Sequence, residues 1–186
     1  LPIVVSMGSV CASGGYYIAM AAGDEPDILF AEPATWTGSI GVVIPHYDFS
    51  GLLASWEVED DSIASHQHKL MGSPTRELSP EERAEERALL QQLVDESFER
   101  FKQIVLAGRP LLSNNPETLE ISTTGRIFSA DQALKYGLVD RIGFIDDAIA
   151  RAAELADRDL EELRCVKYEE PPAPLSVFMG AAASRS

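Results

Sequence analysis

The chain has 186 residues, enough for one domain with its own core, and its 45% hydrophobic and 24% charged composition is that of a globular protein, not a disordered one. Thirty acidic against fifteen basic residues give a formal net charge of −15, which repels nucleic-acid phosphates and anionic headgroups and argues against nucleic acid as a partner. The two cysteines, Cys11 and Cys165, have neither metal-ligand spacing nor the density of a disulfide framework, and no motif calls for a metal or cofactor.

Taken in chain order, Ile3 to Met7 is a short β-branched run that reads as a buried strand. A domain rarely begins mid-strand, so the expectation is a piece of a longer precursor whose upstream anchor is absent here. No apolar run reaches the roughly 18 residues of a membrane helix, and no signal peptide is visible. Cys11 lies in an apolar run and fits a small buried hydrophobe. Gly14-Gly15 precede Tyr16 to Ala22, a predicted helix ending at Gly23, with Tyr16 and Tyr17 assigned to the core. Asp27 to Ala31 and Gly38 to Ile44 are predicted strands. Strands separated by helix-sized segments imply a largely parallel α/β sheet.

Residues 61–79 are polar and irregular, and a loop of that length in a compact domain is often functional. Ser79-Pro80-Glu81-Glu82 then supplies an N-cap, a proline at N1 and a capping-box glutamate. The long helix they open carries Leu89, Leu90, Leu93, Val94, Phe98, Phe101, Ile104 and Val105 at helical spacing, and stops at Gly108 and Pro110. Ser129 and Gln132 form a second capping box, Asp146 to Ala156 a further helix, and Cys165 to Tyr168 a last strand. The stretch 169–186 is proline- and alanine-rich and reads as a mobile tail after a domain at 1–168.

Ala12-Ser13-Gly14-Gly15 places a serine where a strand turns into a helix. Helix-terminal N–H groups there can face a developing oxyanion, and the glycines admit a substrate close to the backbone. The arrangement resembles a nucleophile elbow without its G-x-S-x-G motif, since position 11 is cysteine. From the tetrapeptide alone, a helix-capping serine fits as well. A nucleophilic hydroxyl needs a base. His46, His66, His68 and Lys69 are the candidates, and a lysine serves when desolvation brings its pKa down. The local sequence does not choose between Lys69 and His68.

The segments Val5-Ser6-Met7-Gly8, Ala12-Ser13-Gly14-Gly15-Tyr16-Tyr17-Ile18 and Thr37-Gly38-Ser39-Ile40-Gly41-Val42 resemble the bacterial signal peptide peptidase A family. So do His68-Lys69 before Ser73-Pro74-Thr75-Arg76-Glu77, then Gly125-Arg126-Ile127-Phe128-Ser129 and Gly137-Leu138-Val139-Asp140. The similarity runs from about residue 2 to about residue 155. It implies a Clp protease/crotonase-like fold and a serine endopeptidase with a Ser–Lys dyad acting on hydrophobic or unfolded peptides such as cleaved signal peptides. Matched motif by motif, Ser13 is the nucleophile, Lys69 the general base, Ser39 the residue that orients the lysine, and the Gly14 N–H an oxyanion donor. Arg126 is expected in a structural salt bridge. Ala130 departs from the glycine usual in the family, at a position with no proposed chemistry.

The resemblance further implies a ring-like homo-oligomer and a catalytic domain held outside the cytoplasm by an upstream membrane anchor. It also implies an upstream glycine-containing loop that supplies a second oxyanion donor, so the domain at 1–168 is expected to be truncated on its N-terminal side. The lysine could be supplied across a subunit interface. Two other readings compete: an acyl-CoA enzyme on the same fold, and a non-catalytic interaction domain.

Overall fold

The computed structural model describes residues 1–168; the predicted tail at 169–186 lies outside the described residues. The described residues form six short strands and six α-helices: β1 (Val5–Met7), β2 (Val10–Ala12), α1 (Gly14–Ala19), β3 (Leu29–Ala31), β4 (Trp36–Gly38), α2 (Ser50–Ser55), α3 (Pro80–Gly108), α4 (Pro116–Ser122), β5 (Ile127–Ser129), α5 (Ala130–Lys135), β6 (Arg141–Ile142) and α6 (Ile145–Leu155). This is an α/β fold of two three-stranded sheets. One has the order β1-β3-β6 and is wholly parallel; the other has the order β2-β4-β5, with β2 and β4 parallel and β5 antiparallel to β4.

The core gathers Met7, Tyr16, Ile28, Leu29, Ile40, Phe101, Val105, Phe128, Leu138 and Val139 between the sheets and helices. Apart from the Ser122 hydroxyl, its buried polar side chains are paired, as burial in a low-dielectric interior demands. The Tyr16 hydroxyl donates to the Leu138 carbonyl at 2.8 Å, and burial pushes its pKa up. Asp140 accepts from the N–H groups of Ile28 and Leu29 and pairs with Arg109 at 2.6 Å. Arg109 in turn donates from Nε to the Gly137 carbonyl at 2.8 Å. These bonds clamp the ends of β3, α3 and the loop before β6 to one another.

Both sequence-derived capping boxes form. Ser79 and Glu82 open α3, and Ser129 and Gln132 open α5. The long helix is less uniformly packed than its apolar spacing predicts. Phe101 and Val105 are buried, whereas Leu89, Leu90, Val94 and Phe98 are half-buried and Leu93 is exposed. Its C-terminal half docks on the core, where Gly108 meets Met20 so closely that a Cβ would lie 2.9 Å from the sulfur. Its N-terminal half forms a wall.

Three strand expectations change. The run from Gly38 to Ile44 is not a strand; the strand is Trp36–Gly38. It stops because Gly38 and Ser39 both adopt positive φ, at 81° and 52°, which turns the chain out of the ladder despite its β-branched residues. Cys165 to Tyr168 forms no strand. The strand Val10–Ala12 does form, on a run too short to show a period.

Candidate active site

Register brings Ser13 and Ser39 together. Parallel strands β2 and β4 pair Ala12 with Gly38, so each serine is the first residue past the carboxyl end of its strand, on the same side of the sheet. Carboxyl ends of parallel strands are where α/β folds place ligands. The Ser13 N–H donates to the Gly38 carbonyl at 2.8 Å, and the Ser39 N–H to the Arg126 carbonyl at 2.8 Å. Glycine at 38 is obligatory, since a Cβ would sit 2.6 Å from the Phe128 ring at a φ that L-residues avoid.

Ser13 has φ 52° and ψ −114°. A non-glycine residue at such angles costs on the order of 1–3 kcal/mol, and such strain gathers at functional turns. The residue stands in the N-cap position of α1, yet its side chain makes no capping hydrogen bond. A serine that only capped the helix would accept from an N–H in the first turn. The Ser13 hydroxyl is instead exposed beside Gly14, the first helical residue, whose N–H belongs to the group without an acceptor inside the helix.

Ser13 and Ser39 both line a cleft of about 370 Å³, walled by Val42, Val43, Val94 and Phe98 and floored by Thr123 to Gly125. Its walls are therefore largely apolar, with Asp95 as the one acidic lining residue. Asp95 accepts from Gln91 at 2.8 Å. Val94 also lines an adjoining cleft of about 250 Å³ with Ile44, His46, Leu78 and Leu90. The two clefts run along the exposed flank of α3.

Lys69 is not among the residues of the Ser13 cleft. It lies on a 3-10 turn, Gln67–Leu70, with an exposed side chain, and the desolvated setting expected for it is not formed among the described residues. Among the described residues its amine makes no hydrogen bond or ion pair. The histidines are placed elsewhere too. The His66 ring accepts the His68 N–H through Nδ1 at 3.3 Å as the cap of that turn, with the two rings 5.0 Å apart, and His46 lines the second cleft.

Other expectations sort by packing. Tyr16 is fully buried, but Tyr17 is exposed over part of its ring and meets Phe101 edge-on at 5.2 Å. Cys11 is half-buried, and burial raises its thiol pKa. The salt bridge expected of Arg126 is absent among the described residues; its guanidinium lies over the Phe128 ring, 5.4 Å from the centroid. Phe98 was legible only as an apolar position of α3, and nothing in the local sequence marked Asp95 as a cleft residue.

The family model for peptidase family S49 matches residues 1–159. The chain belongs to peptidase family S49. A protein of Synechocystis sp. named as a protease is 40% identical over 92% of this chain and 58% of its own length. A protein named as signal peptide peptidase SppA in Enterococcus faecium is 38% identical over 91% of this chain and 45% of its own. The chain thus spans about half the length of these relatives. A solved membrane-bound stomatin-specific protease, in complex with a substrate peptide, aligns over 81% of this S49 chain and 52% of its own at TM-score 0.40 and 16% identity. Among the described residues of this family member, no helix is long and apolar enough to cross a membrane.

Proposed function

We propose that this S49 chain carries the nucleophile and the general base of a serine endopeptidase acting on hydrophobic or unfolded peptides, cleaved signal peptides among them. The observation that carries the reading is the register pair Ser13–Ser39: a strained, uncapped serine beside a helix N-terminus, in an apolar cleft with a second hydroxyl. Ser13 Oγ attacks the scissile carbonyl carbon, and its proton passes to the neutral Lys69 amine. The Gly14 N–H donates to the tetrahedral oxyanion. Lysine returns the proton to the leaving amine, and water then cleaves the acyl-enzyme by the same route. Ser39 holds the lysine amine in line, as aspartate holds histidine in the triad.

Lys69 reaches Ser13 on assembly. The lysine stands exposed outside the Ser13 cleft of its own chain, and the same segment exposes Tyr47, Phe49, Leu52 and Trp56. A ring-like homo-oligomer covers such side chains and places the lysine of one copy at the serine of the next. In the full-length protein a membrane anchor upstream of these residues holds the domain on the extracytoplasmic side.

The test uses the full-length protein and a signal-peptide-like substrate. A fluorophosphonate labels Ser13, and Ser13→Ala lowers kcat by about 10³-fold or more with folding retained. Lys69→Ala lowers kcat by at least about 10²-fold. Acyl-CoA binding without labelling of Ser13 would favour a thioester-handling enzyme instead, and full activity in both variants would leave only an interaction domain.

A further inference from the structure

The turn that carries Lys69 is fastened at both ends to a single carboxylate. Glu86 sits on α3 and is 7% exposed, the one buried residue between Gly41 and Gln92. Its Oε1 accepts the Gly72 N–H at 2.5 Å, just after the turn. Its Oε2 receives Arg76 Nη2 at 2.8 Å. The other arm of the same guanidinium, Nη1, donates to the carbonyl of Gln67, the first residue of the turn, at 3.2 Å. Positions 67 and 72 bracket Lys69, so the two oxygens of Glu86, one directly and one through Arg76, fix both flanks of the lysine against a rigid helix.

Apolar burial contributes little here. No residue from Gly41 to Glu85 is buried, and Leu70 and Met71 at the turn are only half-buried, so the polar clamp is the main fastening. A buried carboxylate is stable only when paired and hydrogen-bonded, and Glu86 is satisfied entirely by the segment it holds. Arginine is required, because a planar fork can serve a carboxylate and a carbonyl at once, whereas an ammonium is a point charge. Arg76 and Glu86 share a small cleft with Gln67, His68, Glu82 and Glu85.

We propose that Glu86 and Arg76 are positioning residues for the general base: they hold the 67–72 turn so that Lys69 is presented at a fixed place and angle. The proposal rests on Lys69 being the base. Glu86 touches no substrate and acts through the backbone of the turn.

The experiment compares Glu86→Gln and Arg76→Lys in the full-length protein, alone and in a Lys69→Ala background. Amide hydrogen exchange is followed over residues 66–73, and peptide hydrolysis is measured with kcat and KM separated. Expected are faster exchange confined to that segment and a fall in kcat of about 10- to 100-fold with KM within about twofold, the scale at which a small misplacement of a reacting group is felt. On top of Lys69→Ala, neither substitution lowers the residual rate further. Arg76→Lys keeps the charge and bulk, so it reads the loss of the bridging fork should Glu86→Gln fold poorly. Unchanged exchange in both variants would overturn the clamp itself. A fall in rate that persists undiminished in the Lys69→Ala background would make the pair merely structural. Full activity of Lys69→Ala alone would remove the base and the positioning role with it, whatever the exchange data show.

Discussion

The two halves of the proposed dyad are built by different physics. The Ser13 turn grows directly out of the core: β2 and β4 flank it, Tyr16 three residues on is fully buried, and Phe128 packs under Gly38. The segment 43–78, which carries Lys69, has no buried residue. It is tied down by polar contacts: Asp48 with Arg83, the Phe49 N–H with the Pro74 carbonyl, Asp60 with Thr75, and the Glu86–Arg76 clamp. Packing fixes the proposed nucleophile firmly, because a close-packed interior does not deform smoothly. Polar tethers in water hold the arm more weakly, so it can adjust when another surface meets it.

That contrast can be broken by experiment. The largest expected effect is in the cradle. Phe128→Ala empties a fully buried site beneath the Thr37-Gly38-Ser39 turn and destabilises the protein by about 3–5 kcal/mol in denaturant melts. Tyr16→Phe removes the hydroxyl that donates to Leu138 and leaves that carbonyl unpaired, at about 1–2 kcal/mol in the same measurement. In the arm, Trp56→Ser changes unfolding stability by no more than about 0.5 kcal/mol but weakens self-association seen in sedimentation. Should Trp56→Ser cost as much as Phe128→Ala, the arm has a core that the chain's burial pattern denies.

The smallest effect is acidic. The Ser50 hydroxyl and the Arg83 guanidinium hold the Asp48 carboxyl below the usual carboxylate range, and Ser62 and Thr75 do the same for Asp60. Their folded pKa values are lowered, so their stabilisation is complete above the ordinary carboxylate pKa of about 4 and is lost as pH falls through the lowered values. Both groups are exposed and the effect is modest. With Trp36 replaced by phenylalanine, Trp56 fluorescence is expected to shift below about pH 4 while near-ultraviolet circular dichroism holds. A coincident loss of both signals would show one cooperative unit instead of a cradle with a tethered arm.

The cradle was largely legible in the sequence and the arm was not. Ser79-Pro80-Glu81-Glu82 and Ser129-Gln132 carry their own hydrogen-bonding instructions, so both helix starts could be read locally. Ser13 and Ser39 were legible as motifs, but only the register of β2 with β4 aligns them. The Val-Ile run after Gly38 misled, because β propensity reports fit to a ladder, and two positive φ values take the chain out of that ladder. Glu86 was invisible: a glutamate among the many acids of α3 differs from its neighbours only by what folds over it. Lys69 could be named by resemblance, yet its exposed position is a matter of tertiary placement that no local pattern encodes.

The Tyr16–Leu138 bond joins residues 122 apart in the chain. Contacts so distant in sequence close late, and a ribosome delivers residues in order. During synthesis, then, the helix behind Ser13 stays loose until the stretch around Leu138 and Asp140 has emerged. The turn proposed to carry the nucleophile therefore has no rigid platform until that stretch exists, and the activity proposed for it waits on the same distant contact.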